Sequence, residues 1–76
     1  MRNPALEALH DKIAYTYREL RQADRRIDIA RRLTNQDDPL IIGVINVNTI
    51  LAERLKSDIT TLDAAVKVVK QSIYSV

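Results

Sequence analysis

The chain has 76 residues, with 12 basic and 10 acidic side chains and a net charge of +2. That length allows one domain at most, residues 1–76, and buries too small a fraction of its surface for a wide margin of stability. With no cysteine and a single histidine, His10, disulfides are excluded and a structural zinc site is disfavoured. Association with a second copy or with another protein is what is left to make up the difference.

Only one glycine and two prolines occur, and the three aromatic residues are all tyrosine. So few breakers argue against a small all-β fold and for long helices. The most apolar stretch, residues 40–51, is interrupted by Asn46, Asn48 and Thr49 and falls well short of the roughly 20 residues that cross a bilayer. No segment reads as a signal peptide, so a soluble, cytoplasmic protein is expected, and the lack of cysteine fits a reducing compartment.

The two prolines mark two helix starts. Asn3 can cap the free N–H groups of a helix opening at Pro4, a residue suited to the first helical position because its missing N–H would go unpaired there. From Pro4 to about residue 33, Leu6, Leu9, Ile13, Thr16, Leu20, Ala23, Ile27 and Ala30 recur at alternating steps of three and four, the spacing of a heptad seam. The polar run 34–38 is the one convincing loop.

A second helix is expected over about 39–74, opened by Pro39 with Asp38 as its cap and acidic charge near its positive end. Its seam is longer: Ile41, Ile45, Asn48, Ala52, Leu55, Ile59, Leu62, Val66, Val69, Ile73 and Val76. Residues 40–47 fit this reading less well, because Gly43 and several β-branched residues weaken helix propensity. A short strand with the helix starting near Asn48 stays open as an alternative. The expected fold is therefore all-α: an antiparallel, coiled-coil-like two-helix hairpin that completes a four-helix bundle by dimerising or by binding a partner.

Four features bear on function. Ile42, Val44, Val47, Ile50 and Leu51 lie off the main seam and form the expected partner-binding patch, since one helix pair gives them no cover. Asn48, inside the seam, is a candidate for fixing register and oligomeric state, or else simply points to water at the seam's edge. Arg18, Arg25 and Arg32, seven apart, form a ridge that could track phosphates. Glu19, Asp24 and Asp28 dilute its charge, no aromatic residue accompanies it for stacking on bases, and a solvated face explains it as well. Catalysis has no foothold, for there is no cysteine nucleophile, glycine-rich phosphate loop or metal-ligand spacing, and no cofactor or small-molecule substrate is expected.

In outline the chain is similar to small co-chaperones of bacterial secretion systems, phage accessory and assembly factors, and dimeric RNA-binding hairpins. The similarity is one of shape and transfers no residue role. The expectation is a non-enzymatic accessory or chaperone-like subunit that packs its apolar helix faces on itself or on another helical protein. The alternative is a small dimeric nucleic-acid-binding protein that uses the arginine ridge.

Overall fold

A computed structural model describes residues 3–33 and 36–74. It contains two helices, α1 (Pro4–Arg31) and α2 (Pro39–Tyr74), packed against each other. Both starts are built as their sequences imply. The Asn3 side chain accepts hydrogen bonds from the amides of Ala5 and Leu6, at 2.9 and 3.2 Å, and Pro4 follows it. Asp38 accepts from the Leu40 amide through Oδ1 at 2.9 Å, and its carbonyl takes the first helical bond of α2, from Ile42.

Residues 40–47 are helical, so the strand alternative is set aside. The cap at Asp38 supplies the nucleus, and the seam pulls Ile41 and Ile45 inward. Propensity yields to packing there, as it commonly does in short stretches.

The end of α1 differs from the expectation by two residues. The helix stops at Arg31, and Arg32 and Leu33 tighten into a turn in which their amides reach the carbonyls of Ile29 and Ala30. No glycine is present to close the helix in a left-handed cap. Instead, the Gln36 side-chain amide donates to the Arg31 carbonyl. Thr34 and Asn35 of the expected loop lie outside the described residues, as does Val76 at the end of the second seam.

Both seams turn inward. All eight α1 positions are buried or half-buried, and so are the α2 positions from Ile41 to Val69; Ile73 is exposed. The core they make is thin. Its buried apolar members are Ala23, Ile27, Ala30, Ala52, Ile59 and Val66, half of them alanine, and among the described residues no large side chain is sealed completely. The described hairpin measures 59 × 17 × 12 Å. The last dimension leaves room for a single layer of helices. The radius of gyration is 17.4 Å, against about 11 Å for a compact domain of this length. A stable domain normally stacks two layers; this chain supplies one.

Candidate functional site

Because a helix advances about 100° per residue, the phase of each outward residue on α2 follows from its number. Val47 lies about 130° from the middle of the seam. Leu40, Val44, Leu51 and Ile50 all fall within about 60° of Val47, and Gly43 lies inside the same arc. These side chains are open to solvent: Leu40 is 79% exposed, Ile50 67%, Val47 65% and Val44 45%, while Leu51 is half-buried. No charged residue occurs between Leu40 and Ala52.

Ile42 does not belong with them. It precedes Leu51 by nine residues, half a turn out of phase, and projects from the other flank of the hairpin. That flank is charged: Asp24, Asp28 and Arg31 of α1 line a groove there with Glu53 and Lys56 of α2. One partner lying flat on the hairpin would cover Val44, Val47 and Leu51 and leave Ile42, itself 44% exposed, untouched.

Helix α1 completes the apolar face. Ile29 and Leu33, each about half exposed, line a groove with Ala30, Leu40, Ile41 and Val44, closed on one side by Arg26. Leu33 reaches it because the chain has already left the helix and turns towards α2. The sequence does carry a signal for this face. Residues 26 and 29 on α1, 33 just beyond it, and 40, 44, 47 and 51 on α2 repeat steps of three and four, a second stripe beside the main seam.

Asn48 is 8% exposed and its amide donates to the Val44 carbonyl of its own helix at 2.8 Å. Thr16, the other buried polar side chain among the described residues, likewise returns its hydroxyl to the Lys12 carbonyl, at 2.7 Å. Both satisfy their polarity locally instead of across the pair. Replacing Asn48 with Leu is expected to raise the stability of the hairpin in urea by about 1 kcal/mol, since apolar burial replaces a modest hydrogen bond. A change in oligomeric mass in that variant would assign the amide a register-setting role between chains.

The arginine ridge is on the surface, but its three members differ. Arg18 and Arg25 are exposed on α1, whereas Arg32 lies one residue past the helix and holds the Asp28 carboxylate at 2.9 Å. Such an exposed i,i+4 pair adds little stability, yet it takes one of the three cations away from any phosphate. His10 is exposed near the start of α1, and the Lys12 ammonium stands 5.5 Å from the centre of the Tyr15 ring. Among the described residues no three His, Cys, Asp or Glu side chains gather where they could hold a metal ion, and no helix is long and apolar enough to cross a membrane. No family model matches the chain, and no curated protein or solved structure does either.

Proposed function

We propose that the chain is a helical protein–protein interaction module, a binding subunit rather than an enzyme. It acts as a small accessory or assembly factor, chaperone-like in mode, by laying one apolar face on helices of its own kind or of a partner. The observation that carries this reading is the uncharged face centred on Val47, continued across to Ile29 and Leu33 and left in water by the hairpin itself. Contiguous exposed apolar surface of this kind marks contact sites more often than chance exposure does.

The test works whatever the partner is. A photo-activatable aromatic residue is placed at position 47, and in a second variant at Glu53 on the charged flank. Both positions are exposed, so neither change disturbs the core. Irradiation in living cells is expected to give protein adducts from position 47 and few or none from 53. Equal yields at the two positions, or no adduct at 47, would overturn the proposal.

A further inference from the structure

We infer that the occupant of this face is a second copy of the same chain, stacked loop end on loop end to make a four-helix bundle; this rests on the interaction reading above and names its partner.

Three observations lead there. The first is thickness. A single layer 12 Å deep offers each helix one neighbour, whereas helices of a bundle have two. A second hairpin laid on the face provides the missing layer.

The second is area. The chain exposes 6117 Å², where a compact folded protein of 8.7 kDa exposes about 4,700 Å². The excess is about 1,400 Å² per chain. A dimer that hid the whole excess would share about 2,800 Å², within the range of obligate homodimers, and the face at the loop end supplies part of that area.

The third is charge. A two-fold interface brings a surface patch onto a copy of itself, so a patch whose charges are all of one sign meets that sign again. The α2 part of this face, from Leu40 to Ala52, carries no charge at all, and Arg26 is the one charged residue lining the groove beside Ile29 and Leu33. The α2 part of the face, laid on its own counterpart, repels nothing and strands no ion, and Arg26 stands at the edge of the groove. Sliding the same patch towards the open end of the other hairpin would bury Arg54 and Asp58, at a desolvation cost. Gly43 fits the same picture. It sits inside the arc with no atom of the chain near the place where a side chain would begin and with no positive backbone angle to require it. Nothing within the hairpin explains a glycine there.

The absence of cysteine from the sequence permits a direct test on the intact chain. Val47→Cys and, separately, Glu53→Cys are treated with a short bis-maleimide, while wild-type mass is followed by light scattering over a dilution series. The expected results are a mass twice that of one chain, covalent dimer from the variant at position 47 and little or none from the variant at position 53. A dimer cross-linked through position 53 and not 47 overturns the inference, because the chains then meet on the charged flank. A wild-type chain of single mass at every concentration overturns it as well. In that case a poorly helical monomer points to a foreign partner and spares the interaction reading, whereas a fully helical, cooperatively melting monomer removes both.

Discussion

The double variant Val44→Asp, Val47→Asp is expected to lose association at concentrations where the wild type is assembled. Val47 is 65% and Val44 45% exposed in the isolated hairpin, and neither belongs to the buried core between α1 and α2. The effect of the substitutions falls on the assembled state. Each valine there contributes on the order of 1.5 kcal/mol or more of burial, and each aspartate brings a carboxylate into an interface whose one groove-lining cation is Arg26, beside position 44. A combined loss of about 4 kcal/mol corresponds to a nearly thousandfold weaker dissociation constant. Sedimentation velocity reports the mass, and thermal melting by circular dichroism reports the linkage. The wild-type midpoint should climb with protein concentration, as mass action requires, and the variant's midpoint should not. Should the variant keep both its mass and its concentration dependence, the face centred on Val47 is not the contact surface.

The second large effect is expected at Ile59. It is one of three large apolar side chains, with Ile27 and Val66, in the buried core. It sits between Leu55 and Leu62 in the α2 seam, a stretch that Thr16 faces from α1. Truncation of a buried isoleucine to alanine costs roughly 2–5 kcal/mol when the site cannot collapse around the void. Thr16, the α1 residue that faces this stretch, is small and has little with which to refill it. Against a small domain's total stability, which is of the same order, Ile59→Ala should abolish cooperative melting at micromolar concentration. The control is Tyr17→Ala on the exposed side of α1, expected to shift stability by less than about 0.5 kcal/mol. Comparable losses in the two variants would mean that the seam does not hold the hairpin together.

The parts of this structure that are legible in the sequence are those governed by short-range rules. An asparagine or aspartate placed before proline states a helix start in two residues, and steps of three and four state an inward face. Each is a local signal, and each has its counterpart in the fold: the caps at Asn3 and Asp38, and the buried stripe from Ile41 to Val69. The end of α1 is harder to place, because its closing partner is the side chain of Gln36, five residues beyond Arg31, and no glycine announces it. Counting outward apolar residues without tracking their phase joins Ile42 to residues on the opposite flank. It also passes over Ile29 and Leu33, which belong to the face only because the turn brings α1 beside α2. Adjacency between elements depends on the turn, and no spacing rule within one helix contains it.

Pro39 weighs against one way of assembling this chain. Two helices joined by a few polar residues often have an alternative in which the bend straightens, the helices merge into one long rod and paired rods trade their arms. Here a merged rod would place Pro39 in its interior, where the missing N–H and the ring's collision with the preceding turn cost about 3 kcal/mol or more, and Asp38 before it is biased away from the helical region. Arm exchange is therefore penalised from within the covalent chain. Copies that meet as closed hairpins avoid that cost, and the bend is kept whether or not they are joined.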